Sequence, residues 1–295
     1  GKPSRVKATN AGATPLPKPA QTATKGSGAK AVSEAKHASA AAPKPKQPKA
    51  AVGYDYSKHM RPIVGEKLFG APAMIMDLLP GDCDWHVLAG GRALSERVQL
   101  GQNFIKLLAT IQKIDWRALG LGDSRADDGY GAQTELDFWA GELARVQIEA
   151  LPEMALCLAW LRQRAPRPQA VVLVHGDFKP GNVLLVDNTI SAMLDWETAH
   201  LGDPLEDLGW ITNPPRAREQ QIPGSWERAQ IVQAYTAASG YRVDPQALNW
   251  WNVFSCWKLS VIVLTGVEAF VAAKLDRIYH NPVWLFQQML SMMKD

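Results

Sequence analysis

The chain has 295 residues, 46% of them hydrophobic, and a formal net charge of +3, so it can form one large or two small domains with a substantial core. Its three cysteines are far apart and form no CxxC pair, which excludes a disulfide framework and a zinc-finger site and favours a reducing, cytoplasmic setting. The most apolar segment, Val261–Ala273, contains Glu268 and falls short of the roughly 18 apolar residues that span a bilayer. We therefore expect a buried core helix there and no membrane partner.

The charge is distributed unevenly along the chain. Residues 1–50 contain ten Lys or Arg and one acidic residue, Glu34 (+9), whereas the remainder contains 22 basic and 28 acidic residues (−6). The basic stretch has no aromatic residue and no Ile, so it cannot bury enough apolar surface to offset chain entropy. We predict a disordered Ala/Lys/Pro-rich tail over residues 1–52. This composition allows a linker, an organelle-targeting segment, or a weak nucleic-acid or membrane-surface arm.

Ordered structure is predicted to begin near Tyr54. Two short apolar segments, 62–68 and 73–79, indicate strands joined by a turn at Phe69–Pro72. From residue 82 onward, apolar residues recur with helical spacing. They predict helices at 100–114, 134–146, 153–164, 227–239, 245–271 and 283–293.

The stretch from Val171 to Gly209 carries the most chemical information. A wholly apolar strand, Val171–Val174, leads into a loop that contains Asp177, and Asn182 begins the next strand. A hairpin centred at residues 187–189 then folds the chain back towards Asp195. Asn182 and Asp195 should therefore lie on adjacent strand ends beside Asp177. Carboxylate and amide oxygens are the ligands that Mg²⁺ prefers, so the spacing predicts a magnesium site.

These residues carry a family resemblance. His175-Gly176-Asp177, then Asn182, then Asp195 after a hairpin resembles the aminoglycoside phosphotransferase family, which includes choline and homoserine kinase relatives and shares the protein-kinase-like fold. Gly202-Asp203-Pro204 and Glu206–Gly209 extend the match. The resemblance covers residues 62–295 and implies an α+β fold with three parts. They are a remnant of the N-terminal lobe with the inter-lobe hinge at 53–81, a mostly helical C-terminal catalytic lobe at 82–295, and a catalytic β-hairpin within that lobe.

A second similarity points to one subgroup. Ala118–Gly122 and Pro80-Gly81 are similar to the kinase domains fused to acyl-CoA dehydrogenases. On that resemblance alone the substrate is a small hydroxylated molecule, a hydroxyacyl compound or another amphipathic alcohol. The acceptor pocket of this fold lies among the C-terminal helices. The candidates there are five tryptophans, most of which we expect to be core residues: Trp210, Trp226, Trp250, Trp251 and Trp257.

The resemblance implies a role for each matching position. Asp177 is the catalytic base, Lys179 lies near the transferred phosphate, and Asn182 and Asp195 hold Mg²⁺. His175 braces the catalytic loop. Asp207 ties the loop down from a following helix, and Glu197 is a second anchor or a solvated acid. The backbone of Met76, Asp77 and Leu78 meets the adenine of ATP.

The sequence departs from the family upstream of the hinge. A kinase-like upper lobe supplies a glycine-rich phosphate loop, a strand lysine and a glutamate that pairs with it. Here only about 25 residues, Tyr54 to Leu78, precede the end of the hinge, and the glycine cluster Lys25–Lys30 lacks flanking apolar strands. Either the upper lobe is absent or another chain completes it. We expect weak or no activity from this chain.

Four functional classes remain open at this stage. The first is an ATP-dependent phosphotransferase that acts on a hydroxyl of a small molecule, and the second is a pseudokinase-type protein that binds nucleotide or ligand with little turnover. The third is a metal-dependent hydrolase using His175, Asp177, Asp195 and His200, although the hard oxygen donors favour Mg²⁺. The fourth, a nucleic-acid partner acting through the basic tail, is the least favoured because lysines without aromatic partners give only weak, salt-sensitive attraction.

Overall fold

The computed structural model describes the backbone of residues 61–63 and 73–75, and the backbone and side chains of 78–121, 130–272, 274 and 282–294. All of them belong to one unit, residues 59–295. The predicted tail and the hinge residues Met76 and Asp77 lie outside the described residues. The α+β class predicted from the sequence is confirmed. In chain order the helices are α1 (Leu94–Ile111), α2 (Ala132–Val146), α3 (Pro152–Arg164), α4 (Leu205–Thr212), α5 (Ala217–Gln220), α6 (Arg228–Ser239), α7 (Pro245–Val271) and α8 (Pro282–Met292).

The strands are short and pair in twos. Three antiparallel pairs form in the described residues, β1 with β2, β3 with β6, and β4 with β5. Their bounds are β1 (Arg61–Ile63), β2 (Ala73–Ile75), β3 (Val172–Val174), β4 (Val183–Val186), β5 (Thr189–Met193) and β6 (His200–Gly202). The sequence did not predict β6, because a three-residue strand offers too few positions for an alternating pattern.

Helix α7 forms the centre of the core. Asp244 caps its start by accepting a hydrogen bond from the Gln246 N–H at 3.2 Å, and Pro245 occupies the first turn, where a missing N–H costs nothing. Two of the three buried indole N–H groups of α7 donate to carbonyls of α3, Trp250 to Leu161 at 2.9 Å and Trp257 to Met154 at 3.2 Å. These bonds satisfy polar groups that burial would otherwise leave unpaired.

Helix α7 is also longer than the apolar segment that the sequence singled out. It has 27 residues, and a window within it has a mean hydropathy of 1.5, so its length and composition alone would permit a membrane span. Half of that window is buried inside the protein, against α2, α3, α4 and α8. Core helices meet the same criterion, and the buried side chains of α7 pack as a core helix does.

The hairpin β4–β5 turns through two left-handed residues. Asp187 and Asn188 have φ values of 48° and 63°, the backbone of a type I′ turn, which Asp and Asn tolerate better than most residues. Arg92 Nε donates to Asn188 Oδ1 at 2.6 Å and anchors the turn. On the other side, Asp82 and Leu185 exchange two backbone hydrogen bonds of 3.0 Å, so the chain that follows the predicted hinge runs against the hairpin.

Helices α4 and α7 approach each other closely at Gly209. A Cβ added to Gly209 would lie 2.4 Å from Trp251 Cβ and 2.9 Å from the Trp251 backbone carbon. A side chain of any size there forces the two helices apart.

We predict that Gly209→Ala destabilises the protein by about 1–3 kcal/mol, because overpacking a close helix contact forces backbone shifts. Gly141→Ala is the matched control, since Gly141 is helical and exposed and an added Cβ meets nothing within 4 Å. That substitution should stabilise the protein by about 0.5–1 kcal/mol through helix propensity. Urea unfolding measures both, and equal effects at the two positions would contradict the proposed contact.

Candidate functional site

The loop that contains Asp177, which we call the catalytic loop after its expected role, begins with a turn that only glycine accommodates. Gly176 has φ +82°, and a Cβ there would lie 2.7 Å from the Thr198 carbonyl oxygen. The buried Asp207 carboxylate of α4 accepts two hydrogen bonds from the loop, from the His175 N–H at 2.8 Å and the Gly176 N–H at 2.9 Å. Burial raises the pKa of Asp207, and the adjacent His175 and these two N–H donors act in the opposite direction.

His175 is fully buried and connects the loop to the hairpin. The Asp177 N–H donates to His175 Nδ1 at 3.3 Å, so Nε2 carries the ring proton and donates to the Leu194 carbonyl at 2.8 Å. The ring packs 4.8 Å from Trp196 and 6.1 Å from Phe178, measured between ring centroids. This placement leaves His175 no exposed nitrogen for reaction and suits a bracing residue.

The carboxylate of Asp177 lies at the meeting point of three polar side chains. Lys179 Nζ pairs with Asp177 Oδ2, and Asn182 Nδ2 donates to the same oxygen at 3.2 Å and to the Asp177 carbonyl at 3.0 Å. Arg216 Nη2 lies 3.6 Å from Asp177 Oδ1. Two cations and an amide therefore fix the direction of a half-buried carboxylate.

Asn182 and Asp195 lie on neighbouring strand ends. The Leu194 N–H donates to the Asn182 carbonyl at 2.7 Å, so Asp195 directly follows the residue that pairs with Asn182. Asp195 is exposed and takes a left-handed backbone with φ 68°. Because the Asn182 amide nitrogen binds Asp177, its oxygen remains available, and amide and carboxylate oxygens suit a hard divalent cation.

Two other predicted positions, Glu197 and Leu78, lie at exposed parts of the chain. Glu197 lies in the 3₁₀ turn Trp196–Thr198 and is exposed. Leu78, the hinge residue that falls within the described chain, is 98% exposed.

Several residues of the site carry no signal in the sequence motif. Buried Arg216 stacks 4.5 Å from the Trp210 ring centroid and lies 3.4 Å from Glu219. Trp85 covers Lys179, whose Nζ lies 4.6 Å from its ring centroid, and packs so closely on Gly181 that an added Cβ would lie 2.6 Å from the indole. These side chains reach the site by tertiary packing over long sequence separations, so no local spacing could have revealed them.

A second charged group lies next to the loop, and we call Glu135, His200 and Glu206 the acid–histidine cluster. His200 Nε2 lies 3.1 Å from Glu206 and 3.3 Å from Glu135, and its Nδ1 lies 2.9 Å from the Thr198 carbonyl. Burial lowers the pKa of His200, but the Glu206 carboxylate, Glu135 and the Thr198 carbonyl together raise it to about 9. The imidazole is therefore protonated at neutral pH and bridges the two carboxylates.

We predict that this bridge makes stability fall with rising alkalinity. The pKa of His200 is about 9 in the folded protein and near its ordinary 6.5 when unfolded. Its contribution is therefore complete below about pH 6.5 and declines until the pH has passed about 9. The loss should be on the order of 2–3 kcal/mol. Urea unfolding at pH 6 and pH 9.5 should show this loss in the parent protein and a smaller one in His200→Gln. Equal losses in the two proteins would contradict it.

Comparisons with known proteins identify relatives of this chain. A family model described as "Phosphotransferase enzyme family" matches residues 19–251. Acyl-CoA dehydrogenase family member 11 of Rattus norvegicus is 25% identical over 238 residues, which are 76% of this chain and 30% of that protein. Member 10 of Mus musculus is 28% identical over 145 residues, 48% of this chain and 14% of that protein. The chain thus spans less than a third of the length of these curated relatives.

Solved structures show the same fold. An aminoglycoside phosphotransferase-type protein of Ralstonia eutropha superposes with a TM-score of 0.61 at 22% identity, covering 75% of this chain and 70% of that one. A choline/ethanolamine kinase family protein of Mesorhizobium loti gives 0.51 at 13% identity, covering 77% and 70%. With most of its length matched by the family model, and with the fold of these kinase-like proteins, the chain belongs to the phosphotransferase enzyme family.

Proposed function

We propose that this chain transfers the γ-phosphate of ATP to a hydroxyl group of a small molecule. The observation that carries the proposal is the setting of Asp177. Its carboxylate is held by Lys179 and Asn182. The backbone of Asn182 pairs with Leu194, the residue directly before Asp195. Phosphoryl transfer has a loose transition state, so catalysis consists mainly of positioning and charge stabilisation. This arrangement supplies both.

Asp177 is the base in this proposal. A carboxylate that is partly exposed and fixed from several sides can orient an acceptor hydroxyl and accept its proton. Lys179 and Arg216 contact different oxygens of the carboxylate, so the two cations hold it in one direction. A carboxylate fixed in this way does not have to reorganise when the acceptor hydroxyl arrives.

Asn182 and Asp195 would hold Mg²⁺, which neutralises charge on the phosphates when it is bound. The ATP adenine is assigned to the backbone of Met76–Leu78 on the family resemblance. A reducing, cytoplasmic setting and a hydroxyacyl acceptor remain parts of the proposal that rest on sequence alone.

All five tryptophans suggested for the acceptor region are buried, with 4% exposure or less. Trp226 packs against Gly101 of α1, and Trp250, Trp251 and Trp257 lie in the core with 1% exposure or less. Trp210 differs because Arg216 stacks on its ring and Arg216 in turn lies near Asp177. We therefore propose Trp210 and Arg216 as the acceptor-side neighbours of the base.

A coupled ADP-release assay with Mg-ATP and a panel of hydroxylated acceptors tests the proposal. Asp177→Asn should lower turnover by about 10²–10⁴-fold, since it removes the proton acceptor while keeping shape and hydrogen-bonding capacity. Asp187→Asn is the matched control, an exposed aspartate in the turn of the neighbouring hairpin, and it should leave turnover unchanged.

The same assay separates the remaining functions. Turnover that survives in Asp177→Asn would refute the assignment of the base. Stabilisation by nucleotide in a thermal shift experiment, without phosphate transfer, would instead support the pseudokinase-type alternative. Robust turnover by the parent chain would refute the expectation from the sequence that this chain is weakly active.

A further inference from the structure

Lys258 of α7 contacts the backbone of the catalytic loop from inside the protein. It is 3% exposed, and its ammonium donates to the Gly176 carbonyl at 3.0 Å. That carbonyl belongs to the peptide that joins Gly176 to Asp177, and the N–H of the same peptide donates to His175 Nδ1. The peptide immediately before the base is therefore held at both ends.

Gly176 is also held by side chains of opposite charge at its backbone N–H and its carbonyl. Its N–H donates to the Asp207 carboxylate at 2.9 Å, and its carbonyl accepts from the Lys258 ammonium at 3.0 Å. Glycine has more backbone freedom to lose than any other residue, so this left-handed position needs external contacts to stay ordered. Charge-assisted hydrogen bonds are the stronger kind available for that purpose.

A buried ammonium is costly unless its surroundings compensate for lost hydration. Lys258 Nζ lies 5.1 Å from the Trp139 ring centroid and 5.3 Å from that of Trp210, within the range of cation–π attraction. Its counter-charge is Glu206, whose Oε1 lies 3.8 Å away. That distance is too long for a hydrogen bond, and Glu206 Oε1 has no hydrogen-bond partner among the described side chains and backbone. Lys258 therefore donates its hydrogen bond to the loop and interacts with Glu206 only through charge.

The acid–histidine cluster completes the balance of charges around Lys258. The ligand atoms of Glu135, His200 and Glu206 lie within 4.8 Å of one another, close enough for a metal ion. Two carboxylates are, however, already matched by the His200 imidazolium and the Lys258 ammonium, so their charge needs no further cation. The cluster is better explained as the anchor that keeps Lys258 under the loop.

We infer that Lys258 is a positioning residue for the phosphotransferase reaction. It fixes the Gly176–Asp177 peptide, so that the Asp177 carboxylate keeps its direction towards the acceptor hydroxyl. The effect on the loop stands on geometry alone. The effect on turnover rests on the proposed function.

Lys258→Met tests the inference, because Met retains most of the apolar stem and removes the donor. Hydrogen exchange, followed by mass spectrometry on nucleotide-free protein, should be about tenfold faster for the amides of residues 175–177 than in the parent protein. Lys113→Met is the matched control. Lys113 also donates to a backbone carbonyl, that of Ala238 at 2.7 Å, but it is exposed and lies in the turn that follows α1. Its loss should leave exchange in the loop unchanged.

Exchange that is the same in Lys258→Met and Lys113→Met would overturn the inference. If Lys258→Met does not fold, Lys258→Gln replaces it, since Gln is polar but too short to reach Gly176, and the same exchange result is required. In the Mg-ATP assay, Lys258→Met should lower kcat about tenfold or more while the KM for ATP stays within twofold. A raised KM with unchanged kcat would refute the positioning role. A parent protein without turnover would refute the proposed function, and the exchange result would still decide whether Lys258 orders the loop.

Discussion

The site depends on one carboxylate that binds two backbone N–H groups. Asp207 accepts from His175 and Gly176, and this pair of bonds is what connects helix α4 to the catalytic loop. The left-handed turn at Gly176 could not be held by side-chain packing, because Gly176 has no side chain. A buried acceptor with two oxygens satisfies both orphaned donors at once. The orientation of every later loop residue, Asp177 included, follows from that fixed starting point.

Much of the local geometry could be predicted from the sequence because it is encoded over short distances. Asp187 and Asn188 tolerate the left-handed backbone of a two-residue turn. That turn, together with a register shift between Leu184 and Leu185, brings residue 195 back near residue 182. Arg216, Lys258 and Trp85 could not be predicted. They lie 39, 81 and 92 residues from Asp177 along the chain, and only the packing of α4, α7 and the segment before α1 brings them to it.

The interior beneath the loop is ionic where a simple reading of hydropathy would expect a purely apolar core. Glu206 and Lys258 have exposures of 3% each, and His200 and Glu135 extend the group towards the surface. Removing one member of such a group destabilises the fold more than replacing the whole group by apolar residues, because the remaining partner becomes an uncompensated buried charge. The network therefore links the stability of α4 and α7 to the shape of the catalytic loop, and a change at Glu135 can reach Asp177 without touching it.

The residues that hold Asp177, the proposed base, lie in a different part of the chain from those assigned to the nucleotide. Asp207, Arg216 and Lys258 all follow the catalytic loop in the chain, whereas the adenine contact is assigned to residues 76–78 ahead of it. The side-chain contacts to the Asp177 carboxylate come from Lys179, Asn182 and Arg216, which also belong to this later part of the chain. Measurements of loop order therefore report on the setting of Asp177 and cannot replace an assay of phosphate transfer.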